Sequence, residues 1–257
     1  NLALIFMLAT EQEWEEIDMA VRVFQNTTMK LRYSSVPVVV APRALTLGGG
    51  CEITLHADKV VAAAETYIGL VEFGVGLIPG GGGTKEMTLR ASDSYAEGII
   101  DEQVLREYFL AIGMAKVSTS AKEAFDLKIF KQGRDEVVMN LARQVSEAKR
   151  ACIELSEAGY VKPNVRTDVR VLGKGALAMI YAGANAMKSG NFISEHDQLI
   201  SQKLAYVMCG GDLSTPTLVS EQYLLDLERE AFLSLCGERK TLERIQSILS
   251  TGKLLRN

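Results

Sequence analysis

Two stretches decide how this chain folds: Leu45–Asp58, LTLGGGCEITLHAD, and Tyr67–Lys85, YIGLVEFGVGLIPGGGGTK. In the first, an apolar lead runs into three glycines and then into Ile53, Leu55 and Ala57, so Gly48–Gly50 occupy a strand-to-helix turn. The first turn of a helix leaves about four N–H donors without internal partners, and the macrodipole adds roughly half a positive charge. Gly49 can present its amide to an oxyanion because no side chain blocks the approach, and Glu52 projects near the same helix end. In the second stretch Glu72 is flanked by Leu70, Val71, Phe73 and Val75. Burial there raises a carboxyl toward neutrality, which suits proton transfer near pH 7. The run Gly80–Gly83 can line the pocket floor, and an amide such as that of Gly80 can orient a water between the two carboxylates. Each acid taken alone has a structural alternative: Glu52 as a helix N-terminal acid, Glu72 as a paired core acid.

Other glycine motifs do not fit. Gly74, Gly76 and Pro79 break the GxGxxG pattern of a dinucleotide fold, because proline stands at the third position. Gly83-Thr84-Lys85 has the wrong order for a P-loop. Ten of the 22 glycines lie between Gly48 and Gly83, which makes this the part of the chain where backbone bends or approaches something closely.

Composition narrows the class. With 257 residues, 47% hydrophobic and 23% charged, the chain can bury a sizeable core, and disorder is excluded. A net charge of −4 without a basic block argues against nucleic acid as a partner. Leu2–Ala9, eight apolar residues, falls short of the roughly 20 needed to span a bilayer. Cys51, Cys152, Cys209 and Cys236 are scattered with neither CxxC pairs nor histidines at ligand spacing, so no zinc site or disulfide framework is expected and a reducing, cytoplasmic setting fits best. His56 and His196 stand outside any nucleophile context and read as structural or surface residues.

Along the chain, Thr10–Thr27 predicts a helix with Trp14, Ile17, Val21 and Phe24 on one face. Val36–Ala41, Val60–Ala64 and Tyr67–Val71 predict strands. From about Asp135 the texture becomes helical. Val138, Leu141, Val145, Ala148, Cys152 and Leu155 form a stripe ending at Gly159. Further helices are expected over Gly175–Ser189, after a Ser194 cap, after Thr215-Pro216, and around Leu242, Ile245 and Leu249.

At this point the residues resemble a known family. Val36–Arg90, with its PVVVA strand, LGGGCE turn, AD-x-VVAA strand and GLVE-x-GVGLIPGGGGT loop, is similar to the middle of the crotonase family, the enoyl-CoA hydratases and isomerases. The resemblance implies an α/β fold: a partial β-β-α spiral over residues 1–134, followed by an all-helical C-terminal region over 135–257. It implies that Gly49 donates one oxyanion N–H to a thioester carbonyl and that Glu52 and Glu72 are the hydratase's two acid/base groups. Isomerases of the family generally keep only the second glutamate, so Glu52 favours hydration. Lys116–Val138 resembles the family's A-x-EA-x-x-x-GL segment, with Asp126 where glycine is usual.

Two departures shape the remaining expectations. The family's first oxyanion donor comes from an upstream segment of the kind FSAGADL, and Asn1-Leu2 resembles its tail, so the chain is expected to begin just after that donor and to be weakly active or inactive alone. The C-terminus extends through about four more helices, an arrangement that resembles the C-terminal part of long bacterial fatty-acid oxidation proteins carrying a 3-hydroxyacyl-CoA dehydrogenase and a hydratase. The expected partner is an acyl-CoA substrate, with no metal and no cofactor in this chain. NAD would belong to an upstream dehydrogenase domain, and a homo-oligomer is expected. The alternatives are a 3-enoyl to 2-enoyl-CoA isomerase using Glu72 alone, and a non-catalytic assembly module built on the later helices.

Overall fold

Prolines and glycines set the strand boundaries in the first half of the chain. The computed structural model describes residues 1–96 and 100–257. Helix α1 (Leu2–Thr10) is followed by α2 (Trp14–Arg32), and Gln12, at φ 61°, makes the break between them. The single helix expected over 10–27 is thus displaced: its apolar stripe belongs to α2, where Ile17 and Val21 are buried. Next come β1 (Val39–Val40), β2 (Ala44–Leu47), α3 (Gly49–Leu55), β3 (Lys59–Ala63) and β4 (Thr66–Gly69). Strand β1 is shorter than the expected 36–41 because Pro37 and Pro42 can donate no ladder bond.

The pairing has a simple logic. Strand β1 pairs in parallel with β3, placing Val39 opposite Lys59, and β2 pairs in parallel with β4, placing Leu47 opposite Gly69. Two strands and a helix therefore stack on the next two strands, which is one turn of a β-β-α spiral. A 3-10 turn over Glu72–Val75 leads to α4 (Gly83–Asp93), then α5 (Asp101–Gly113), α6 (Glu123–Asp126) and β5 (Glu136–Val138). Strand β5 continues the first sheet in the order β1-β3-β5, with Val61 opposite Glu136. The Asp135 carboxylate fixes this junction, accepting the Val60 N–H at 2.9 Å and the Lys131 N–H at 2.7 Å. Near α6, left-handed backbone falls on Lys128, at φ 62°, and not on Asp126.

The remaining elements are α7 (Gln144–Glu157), β6 (Val169–Val171), α8 (Gly173–Ser189), α9 (Glu195–Met208), β7 (Thr217–Val219), α10 (Glu221–Cys236) and α11 (Arg239–Thr251). This region is mainly helical, but three short strands interrupt it. Val138 sits in β5 and not on the α7 stripe. Thr217–Val219 pairs antiparallel with β6, so the helix expected after Thr215-Pro216 starts later, capped by the Ser220 hydroxyl on the Tyr223 N–H at 3.1 Å. The Ser194 cap is found as expected, with Asp197 completing a reciprocal capping box. Helices α8 to α11 and the spiral contribute to one main core, in which Leu55, Val60, Ile68, Leu204 and Leu235 are fully buried. That packing brings α10 over the glycine loop.

Candidate active site

The site is built on backbone that only glycine tolerates. Gly48 ends β2, donates its N–H to the Gly69 carbonyl at 3.0 Å, and turns with φ 54° into α3. A Cβ there would lie 2.9 Å from Glu72 Oε1, so the missing side chain is the space the carboxyl occupies. The turn leaves the Gly49 N–H with no protein acceptor among the described residues.

Glu52 stands one turn into α3 and is buried. Its Oε1 accepts the N–H groups of Gly81 at 2.7 Å and Gly83 at 2.9 Å, so the second glycine run closes on the acid of the first. Burial raises its pKa well above the ordinary range; the nearby Glu72 and Glu228 carboxylates add to this and outweigh the two amides. Glu72 opens the 3-10 turn, and its Oε2 is buried without a hydrogen-bond partner. Burial lifts it to about 7, with Glu228 adding repulsion. The two acids singled out in the sequence are therefore brought to one place, around Gly48 and Gly81–Gly83. The two glycine amides on Glu52 belong to Gly81 and Gly83. Gly80 lies against α10: a Cβ on it would come 2.7 Å from the Phe232 ring.

Two aromatic rings cover this loop. Phe24 of α2 stands between the two glycine runs, its ring 3.1 Å from a Cβ built on Gly49 and 2.2 Å from one built on Gly81. The α2 stripe marked Phe24 as a packing residue; what it packs against is 57 residues away and has no local signal.

Behind the loop lies a buried ionic cluster that sequence reasoning missed. Lys85 Nζ donates to Glu221 at 3.0 Å and to His56 Nε2 at 2.9 Å. An ammonium has no lone pair, so His56 Nε2 accepts and Nδ1 carries the proton, which it donates to the Glu52 carbonyl at 2.7 Å. Burial, with Lys85 and Arg32 nearby, keeps this imidazole neutral and its pKa well below the ordinary value. His56 is thus a fixed structural link. His196 is buried too, bonded to Thr241 at 2.9 Å, and burial lowers it to about 4. Glu86 sits among Arg32, Lys85 and Arg90; burial opposes its charge, but the three cations hold it well below the usual carboxylate range.

An apolar cavity of about 880 Å³ lies beside the site, lined by Phe109, Met114, Met179, Met187 and Phe192, and meets it at Phe73, the neighbour of Glu72. Among the described residues there is no cluster of metal-ligating side chains, and no helix is long and apolar enough to cross a membrane.

With that geometry in place, the family model for enoyl-CoA hydratase/isomerase matches residues 7–102, which include Glu52, Glu72 and both glycine runs. This segment is similar to the enoyl-CoA hydratase/isomerase family. A Bacillus subtilis protein named "Probable 3-hydroxyacyl-CoA dehydrogenase" is 45% identical over 257 residues, which is 100% of this chain and 32% of the relative. The fatty acid oxidation complex subunit alpha of Pseudomonas syringae is 28% identical over 171 residues, 60% of this chain and 23% of that protein. The chain therefore spans about a third of the first relative's length and less of the second. An enoyl-CoA hydratase structure from Bacillus halodurans superposes with a TM-score of 0.59 at 16% identity, covering 96% of this chain and 74% of that one, so the crotonase fold is shared. The hydratase/isomerase match ends at residue 102, and Glu221, Glu228 and Phe232, which cover its glycine loop, all lie beyond it.

Proposed function

We propose that this chain carries the acid/base groups of an enoyl-CoA hydratase, adding water across the 2,3 double bond of a 2-enoyl-CoA thioester in fatty-acid oxidation. The observation that carries this reading is the convergence of the buried Glu52 carboxyl and of Glu72, whose Oε2 is buried without a partner, on a glycine turn whose Gly49 N–H has no acceptor among the described residues. A thioester oxygen at the Gly49 N–H draws electron density from C3, and a preorganised donor there stabilises the developing enolate by about 3–4 kcal/mol. Glu52, whose carboxyl is the more strongly raised of the two, orients the water, and the ionised Glu72 takes the water's proton as the oxygen bonds to C3. Glu72, lifted to about 7, delivers a proton to C2. One water is consumed and the carboxyl pair returns to its starting charge. Phe24 occupies the space between Gly49 and Gly81, so substrate entry requires that ring to swing away.

The test is hydration of crotonyl-CoA, followed as loss of the enoyl thioester absorbance. Glu52→Gln and Glu72→Gln are each expected to lower kcat by about 10²–10⁴-fold. Unimpaired turnover in either overturns the assignment of that residue. Conversion of a 3-enoyl-CoA to the 2-enoyl product that survives Glu52→Gln but not Glu72→Gln would replace hydration with isomerisation.

A further inference from the structure

The glycine loop is held from two sides, and only one of them is the acid of the family motif. Glu52 takes the amides of Gly81 and Gly83. The alternate amides belong to Glu228 of α10: its Oε1 accepts the Gly82 N–H at 2.6 Å and its Oε2 accepts the Lys85 N–H at 2.9 Å. Glu228 is completely buried and also accepts Gln25 Nε2 of α2 at 3.1 Å. Gln25 is anchored in turn, donating to the Leu225 carbonyl at 3.0 Å and accepting from Arg229 at 3.1 Å.

We propose that Glu228 is a positioning residue of the site, a third buried carboxyl that fixes the Gly80–Gly83 loop beneath Glu52 and imposes its charge on the Glu52–Glu72 pair. The proposal rests on the hydratase reading only for its kinetic consequence. An acid this deeply buried is not needed to satisfy an amide; a neutral acceptor such as glutamine or a carbonyl would do so without the desolvation cost. What a carboxylate adds is a field. Burial raises Glu228 itself to about 7, against the amides and Gln25 that favour its charged form, so it gains or loses charge in the same range as Glu72.

The surroundings of Glu228 define that field. From α3 and the 3-10 turn come Glu52 and Glu72; from α4, Lys85 and Glu86; from α2, Arg32; from α10 itself, Glu221 and Arg229. Lys85 and Arg32 are engaged with Glu221 and Glu86, and Arg229 with Asp18 and Asp226. Helix α1 carries no ionisable side chain, and of the groups on α9 and α11, the buried Asp197 and Arg244 pair with each other at 2.8 Å. Lys85 still favours the charged form of Glu228, while Glu52 and Glu72 both feel Glu228 as a like charge.

The test is carboxyl titration by NMR on the ¹³C-glutamate-labelled chain, with Glu52 and Glu72 signals assigned by their loss in the Gln variants. In Glu228→Gln the Glu52 and Glu72 titrations are expected to move to lower pH by about one unit. Gln25→Met, which removes a donor to Glu228 without touching any carboxyl, is expected to move them in the same direction by less. Titrations unmoved in folded Glu228→Gln overturn the proposal, and if that variant does not fold, an unmoved titration in Gln25→Met does so. In the hydration assay, the acid limb of kcat is expected to shift to lower pH in Glu228→Gln. Titrations that move as expected, together with Glu52→Gln and Glu72→Gln variants that leave the wild-type hydration rate unchanged, would leave Glu228 in place and remove the hydratase reading.

Discussion

Gly81 shows how much of the site depends on the absence of single atoms. A Cβ there would press to 2.2 Å on Phe24 and 2.7 Å on Glu52 Oε2, and both neighbours are held by packing or hydrogen bonds. Gly81→Ala is therefore expected to destabilise the protein by about 1–3 kcal/mol. Phe24→Ala in the same chain should recover part of that loss, a coupling readable from a double-mutant cycle of urea midpoints. Additive effects would show that the ring yields freely. The gathering of Glu52, Glu72 and Gly49 around one turn was legible from sequence because it follows from a local turn and its neighbours. Glu228 was not: in the sequence EQYLLDLERE it is one acid among several, and only the packing of α10 distinguishes it.

At the level of elements, α2, α4 and α10 are joined by charge as well as by apolar contact. Lys85 and Glu86 on α4 meet Glu221 on α10 and Arg32 on α2, all largely out of water. Such an assembly is weak evidence of net stabilisation, yet removing one member strands its partners. Lys85→Met is expected to cost about 3–5 kcal/mol in chemical denaturation, and adding Glu221→Gln should cost much less than the sum of the two. The strands show where sequence reading reaches its limit. The strand pairs of the spiral sit where apolar runs and prolines put them. Thr217–Val219 and Glu136–Val138, by contrast, are three-residue strands, too short to declare a period, and each exists because a distant partner, β6 or β3, offers an open edge.

For the whole molecule, buried acids make stability depend on pH. Glu72 and Glu228 are raised from 4.5 to about 7 on folding, so the unfolded chain ionises them first. Their contribution is complete below pH 4.5 and is lost as pH rises through about 7, at up to about 1.4 kcal/mol per pH unit for each group. Glu86 acts oppositely: its stabilisation is present above its unfolded value of 4.5 and lost on acidification below it. Melting temperature is expected to fall between pH 5 and 7, and to fall less steeply in Glu228→Gln; a flat profile in the wild type would contradict the buried-acid description. The same placement of α10 has a consequence in time. A chain made from its N-terminus displays the glycine loop and Glu52 long before residue 228 exists. During synthesis the amides of Gly82 and Lys85 stay with water, and Lys85 waits for Glu221. The last stage of folding is thus also the stage at which the acids of the earlier turn acquire the surroundings that set their chemistry, so a ribosome-stalled chain ending before α10 should carry the motif without its tuned carboxyls.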